Sequence, residues 1–286
     1  MPRFSTPAGV EVHYETAGDP AGRPLVLVHG GGAQLIGWPE EFVDRLVEAG
    51  FFVVRADNRD VGLSQMTAGP DDLTATYDLN DMADDVVALL DHLGIGAAHL
   101  TGMSMGGFIV QLVAIHHPER VASLGLMSTC PSSDQEFLAH PVGDGEPLTE
   151  LPELLARDAY VEMFVGGQRG YASPGFPFDA EESAALGARY HDRIYRPDGL
   201  LRQFNAMLRG PLERRAALAE VRVPTVVLQG RGDQSVHWRS ALALGELLPQ
   251  AEVHVYEEMG HDIPRELWPE FVLALSRTAQ RAERPV

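Results

Sequence analysis

The chain has 286 residues, 45% of them hydrophobic, and a formal net charge of −19. A chain of this size and composition can bury a large core and is not disordered, while so acidic a surface repels nucleic acid and anionic membrane. The N-terminus lacks the apolar core of a secretion signal, no apolar run reaches membrane-spanning length, and the single Cys130 cannot pair internally, so the expectation is a cytoplasmic monomer or homodimer with no metal and no cofactor.

In chain order, alternation over 9–14 predicts a strand after the turn at Pro7. The continuous apolar run 24–28 is of strand length and reads as a strand covered on both faces, as in a parallel sheet. It leads into His29-Gly30-Gly31-Gly32, where consecutive glycines let the backbone approach a ligand closely. An amphipathic helix over 40–49 ends at Gly50, and 51–54 is a second buried strand. Residues 78–93 form a helix with Met82, Val86, Leu89, Leu90 and Leu93 on one face. A strand over 97–101, a helix over 105–116 and a strand over 121–127 follow.

The alternation then stops. Residues 131–218 are richer in Pro, Gly and aromatics and carry several short helical patterns. It resumes with a strand over 223–228, a helix over 240–248, a strand over 251–256 and a helix over 264–281. Repeating strand and helix imply an α/β fold, a mostly parallel central sheet with helices on both faces. The core then comprises 1–130 and 219–286, and 131–218 is an inserted helical cap.

The chemistry centres on Gly102-Met103-Ser104-Met105-Gly106, a strand that turns sharply into a helix with a serine at the apex. With 29 glycines and 12 serines in the chain, the G-x-S-x-G pattern alone arises by chance in roughly one such chain in eight. The surroundings make it specific. A serine nucleophile needs a base and the base an orienting acid. His261 follows the last predicted strand, and Asp233 follows the one before it, so both fall at the sheet edge where Ser104 sits, in the order Ser…Asp…His. Asp134, and more weakly Glu258, are the alternative acids. The backbone N–H of Met105, at a helix N-terminus, and that of Gly31 are the expected oxyanion donors.

Other suggestive residues read differently. His29 is expected to hydrogen-bond its own loop, residues 57–60 to brace a loop, and Cys130 to act as a small buried apolar residue. His116-His117 ends a helix, without a carboxylate at metal-ligand spacing. Trp38, Tyr160, Phe164, Tyr171, Phe176, Phe178 and Met207 could line an apolar pocket or fill the cap's core, and Trp38, beside the glycine loop, is the best single candidate for substrate binding.

With these residues in hand, the chain resembles the α/β-hydrolase family, in its esterase, lactonase and haloperoxidase group. The matching marks are Val28-His29-Gly30-Gly31, Asp57-x-Arg59-x-x-Gly62-x-Ser64, the serine elbow, Gly232-Asp233 and Gly260-His261. Gly37-Trp38-Pro39-Glu40-Glu41-Phe42 is similar to a stretch of the aclacinomycin methylesterase-like esterases. The resemblance implies cleavage of a small to medium apolar carboxylic ester through an acyl-enzyme, including the methyl ester of an aromatic polyketide. It fails in the cap, where specificity would reside. Lactone hydrolysis, C–C bond hydrolysis and perhydrolysis use the same triad, and a ligand-binding receptor could keep it. An imidazole base must be neutral, so activity is expected to fall as the pH drops below roughly 6.5.

Overall fold

The computed structural model describes residues 2–134, 136–138, 146–151, 153–210 and 213–283. Its strands are β1 (Arg3–Ser5), β2 (Glu11–Ala17), β3 (Arg23–Val28), β4 (Phe51–Ala56), β5 (Ala98–Met103), β6 (Val121–Met127), β7 (Thr225–Gly230) and β8 (Ala251–Tyr256). They form one sheet in the order β1-β2-β4-β3-β5-β6-β7-β8. β2 runs antiparallel to its neighbours β1 and β4, and the pairs from β4 through β8 are parallel. β1 escapes the sequence reading because three residues show no periodicity. β7 starts two residues later than expected.

Side-chain alternation divides the core between the two faces. Val26, Val54 and Leu100 join α2 (Leu79–His92), α3 (Met105–His116) and α8 (Arg239–Leu247) on one face. Leu25, Leu27 and Val53 join α1 (Glu40–Glu48) and α9 (Trp268–Ala282) on the other. Helix α2 begins where Asp78 accepts the Asn80 N–H and Asp81 reaches back to the Asp78 N–H, a reciprocal cap. The final helix opens as a 3₁₀ turn, Arg265–Leu267, before Trp268.

Between β6 and β7 the described residues form α4 (Arg157–Tyr171), α5 (Ala180–Arg193), α6 (Pro197–Arg209) and the short α7 (Arg215–Leu218). Two buried ion-pair groups hold these helices to the loop after β4. Arg193 of α5 donates to both carboxylate oxygens of Asp57, at 3.2 and 2.9 Å. Arg202 of α6 donates to Asp60 at 2.9 Å and Asp198 at 2.6 Å, and to the Gly69 and Asp72 carbonyls. Asp57 also accepts the Leu35 and Leu63 N–H groups. The loop-bracing role expected for 57–60 thus extends to the inserted helices.

The chain order decides where the loops meet. β4 lies to one side of β3 and β5 to the other, so the sheet reverses direction at β3. Loops leaving neighbouring strands at such a reversal part above the sheet and open a crevice at the strands' C-terminal ends. The glycine loop after β3 and the serine after β5 flank that crevice.

One sheet residue makes folding acid-sensitive. His99 on β5 is buried, bonded to Ser123 at 2.8 Å. Burial, with Arg23 nearby, lowers its pKa to about 4. Below the ordinary imidazole value the unfolded chain gains a proton that the folded His99 does not, so stability falls as pH drops from about 6.5 toward 4. Urea unfolding at pH 7 and pH 4.5 is expected to show the wild type losing roughly 2 kcal/mol more stability than His99→Gln. Equal losses would contradict this assignment.

Candidate active site

Ser104 sits between β5 and α3 with φ 54° and ψ −121°, a conformation that side-chain-bearing residues rarely adopt. Its N–H donates to the Met127 carbonyl at 3.0 Å, and its carbonyl accepts the Gly107 N–H at 2.9 Å and the Thr129 hydroxyl. The flanking glycines are a steric requirement. A Cβ on Gly102 would lie 2.2 Å from the Gly106 oxygen, and one on Gly106 would lie 2.1 Å from the Val28 oxygen. The spacing of glycine two residues to either side of the serine therefore records how closely α3 packs on β5 and β3.

The glycine loop lies against the elbow in looser contact. A Cβ on Gly30 would lie 3.2 Å from the Ser104 Cβ, and one on Gly31 3.7 Å from the Met105 sulfur. The loop's N–H groups can be followed one by one. Gly30 donates to His29 Nδ1, Gly32 to Gln203 Oε1 and Ala33 to the Gly30 carbonyl. Among these described residues the Gly31 N–H has no partner. Met105 opens α3, where N–H groups have no partner within the helix. The Gly31 N–H on the glycine loop and the Met105 N–H at the start of α3 are thus both without a backbone or side-chain partner among the described residues, on the two elements that flank Ser104.

His261 and Asp233 come from the loops after β8 and β7. His261 Nδ1 lies 2.7 Å from Asp233 Oδ2. Asp233 is buried, and its oxygens also accept the Ser235 and Val236 N–H groups, each at 2.8 Å, and Gln229 Nε2 at 3.0 Å. Burial works against its charge, but the His261 contact and the two N–H groups outweigh it and hold the carboxyl below the usual range. Ser104 and His261 line one cavity, with no hydrogen bond between their side chains. Such contacts often tighten only with substrate in place.

The alternative acids lie elsewhere. Asp134 pairs with Arg215, and Glu258 faces solvent. His29 serves its loop as expected, because its Nδ1 accepts the Gly30 N–H. Burial lowers its pKa to about 4, the Gly37 backbone bond partly opposing and His261 adding to the shift. His29 is therefore neutral at neutral pH with its lone pair already engaged. His117 pairs with Asp84, and no cluster suited to a metal occurs among the described residues.

The cavity measures about 970 Å³, at the upper end for small-molecule sites. Phe108, Phe176, Phe178, Phe204, Met207 and Ile263 line it, with Tyr171 beside His261. Trp38 corrects the sequence reading. It is wholly buried, with its ring tilted against His29 and stacked on Phe42 in the core under α1, while its neighbours Gly37 and Pro39 reach the cavity. The 3₁₀ turn Leu35–Gly37 directs the indole inward. Tyr160 and Phe164 likewise leave the site, packing with Leu35, Ile36 and Tyr190.

Two site-supporting residues went unseen in the sequence. Ser173 accepts the Gly260 N–H at 2.9 Å and donates to Asp262 at 2.5 Å, clamping both sides of His261. Burial raises the Asp262 carboxyl despite these bonds. Gln203 reaches the glycine loop across 171 positions of sequence. No short-range pattern marks either contact.

A family model described as alpha/beta hydrolase fold matches residues 23–264. A rhodomycin D methylesterase of Streptomyces peucetius is 32% identical over 288 aligned residues, covering 92% of this chain and 92% of that protein. A 2-hydroxy-6-oxononadienedioate/2-hydroxy-6-oxononatrienedioate hydrolase of Burkholderia vietnamiensis is 30% identical over 260 residues, covering 88% and 85%. Among solved structures, an esterase from Exiguobacterium antarcticum matches with a TM-score of 0.74 and 24% identity over 97% of this chain and 98% of that one. The enol-lactonase of Burkholderia xenovorans matches with a TM-score of 0.72 and 20% identity over 99% of each chain.

The steric contacts at the elbow give a direct test. Gly106→Ala is expected to destabilise the fold by roughly 3 kcal/mol, read as a lower urea midpoint, and to abolish esterase activity. A variant of unchanged stability would show that the elbow is looser than these contacts require.

Proposed function

The chain belongs to the alpha/beta hydrolase fold family and is a hydrolase of the esterase type, and from that premise we propose that it cleaves a carboxylic ester with Ser104 as nucleophile, His261 as base and Asp233 as the acid that orients it. The supporting observation is the convergence on one cavity of a serine held at positive φ, the hydrogen-bonded Asp233–His261 pair, and the available N–H groups of Gly31 and Met105.

In this mechanism His261 Nε2 takes the Ser104 proton as Oγ attacks the ester carbonyl. The oxyanion forms against the Gly31 and Met105 N–H groups, each such donor being worth about 3 kcal/mol in the transition state. Asp233 accepts the Nδ1 proton in a hydrogen bond, fixing the tautomer and stabilising the imidazolium. His261 then protonates the departing alcohol, leaving an acyl-enzyme. Water, activated by the same imidazole, releases the acid and restores the serine. The balance closes without a cofactor.

The cavity's volume and aromatic lining suit a polycyclic apolar substrate, with residues 131–218 acting as the cap that shapes it. Together with the methylesterase relative, this supports a methyl ester of an aromatic polyketide as the substrate class. The C–C hydrolase relative raises a second reading, in which the substrate is a dicarboxylate. The charges in the cavity disfavour it. Its described lining carries Glu146, Asp179, Glu182, Asp262 and Glu266 against the single Arg265, which is half exposed and already pairs with Glu41 at 2.8 Å and Glu182 at 3.0 Å. Lactone hydrolysis and perhydrolysis would use the same catalyst, the first with the leaving alcohol tethered to the acyl group, the second with hydrogen peroxide in place of water as the acyl acceptor.

Hydrolysis of a short p-nitrophenyl ester is expected to fall by about a thousandfold or more in Ser104→Ala, with ping-pong kinetics in the wild type. Equal rates would end the assignment. A neutral aryl ester is expected to give a kcat/KM at least about tenfold above the same scaffold bearing a remote free carboxylate. A preference for the anionic ester would favour the C–C hydrolase reading.

A further inference from the structure

We infer that Gln203, on the inserted helix α6, is a positioning residue for the oxyanion site, holding the glycine loop so that the Gly31 N–H stays available to the substrate. This rests on the Ser104 reading above.

Gln203 is fully buried, and both ends of its amide are engaged. Oε1 accepts the Gly32 N–H at 2.7 Å, while Nε2 donates to the Arg59 carbonyl at 2.8 Å. One side chain thus ties the loop after β3 to the loop after β4. A buried amide with both functions satisfied has a fixed orientation, because flipping it would set donor against donor and acceptor against acceptor.

The bond acts on the peptide that follows Gly31. Gly32 has φ 70°, so this stretch relies on residues without a Cβ and has little stiffness of its own. The peptide before Gly31 is held from the other side. Its carbonyl, on Gly30, accepts the Ala33 N–H at 3.2 Å. Because the peptide is planar and trans, the Gly31 N–H points away from that carbonyl. Asn58 donates to the His29 carbonyl at 3.2 Å, and His29 Nδ1 accepts the Gly30 N–H at 2.8 Å. Each peptide around Gly31 is therefore held by a hydrogen bond that leaves the Gly31 N–H free, and Gln203 supplies the one that comes from the inserted helices.

Packing supports the same placement. A Cβ on Gly32 would lie 2.6 Å from Leu200 Cδ1, and one on Gly199 would lie 1.9 Å from the Asp60 oxygen. Helix α6 therefore rests directly on the two loops that Gln203 joins. The site needs this helix for more than enclosing the substrate. An oxyanion donor is useful only if its direction is set before reaction, since reorienting a dipole during the reaction consumes the stabilisation it would give.

The test compares Gln203→Met, which keeps length and removes both hydrogen bonds, with Asn205→Leu. Asn205 lies on the same helix and ties it to the Leu73 and Leu148 carbonyls without touching the glycine loop. Kinetics are measured with a p-nitrophenyl ester, and inhibition with a methyl trifluoromethyl ketone, whose hemiketal oxygen occupies the oxyanion position. Gln203→Met is expected to lower kcat at least tenfold with KM within twofold, and to weaken ketone inhibition by the same factor. Asn205→Leu is expected to leave both within threefold. If Gln203→Met does not fold, Gln203→Asn, too short to span both partners, is judged by the same criteria. A Gln203 variant that keeps kcat within twofold, or that loses no more than Asn205→Leu, would overturn the inference. Failure of the underlying reading would show differently, as wild-type hydrolysis that does not depend on Ser104.

Discussion

The structure depends on how closely three backbones approach one another at the C-terminal end of the sheet. β3 and β5 are neighbours, α3 leaves β5 through Ser104, and the first turn of α3 lies against the Val28 carbonyl with no room for a Cβ at Gly106. That contact holds Ser104 at positive φ and sets the Met105 N–H opposite the glycine loop. The reversal of strand order at β3 brings these two loops together. A sheet in which β3 and β5 were not neighbours would have separated the serine from Gly31.

Around this contact the inserted helices support both sides of the site. Ser173 clamps the loop of His261 through Asp262 and the Gly260 N–H, while Gln203 holds the glycine loop. Arg193 and Arg202, paired with buried Asp57 and Asp60, anchor the same helices to the core. Buried ion pairs add little net stability but fix geometry, since removing one partner strands the other charge. A segment expected to carry specificity is thus joined by hydrogen bonds to the loops that carry the chemistry.

Much of this was legible in the sequence, for reasons that individual residues make clear. The spacing of Gly102 and Gly106 around Ser104 is a local record of a backbone contact. The apolar runs of β3 to β7 mark strands buried on both faces, and the position of Asp233 and His261 just after strands places them at one sheet edge. Trp38 lies in the core rather than the pocket because nearness in sequence to a loop says nothing about which way a 3₁₀ turn points the next side chain. Tyr160 and Phe164 were ambiguous because an aromatic residue on a cap helix suits the cap's core and a pocket equally. Gln203, Ser173 and Arg193 could not be found because their partners lie far along the chain, and only the folded packing of α5 and α6 brings them together.

The central claim is that Ser104 is an activated nucleophile, and active-site labelling tests it most directly. Folded protein is treated with a fluorophosphonate and the modified peptide is located by mass spectrometry. The account predicts stoichiometric modification of Ser104, absent in Ser104→Ala and suppressed by a competing ester. Folded protein that hydrolyses esters yet remains unlabelled at Ser104, or is labelled at another residue, would contradict it.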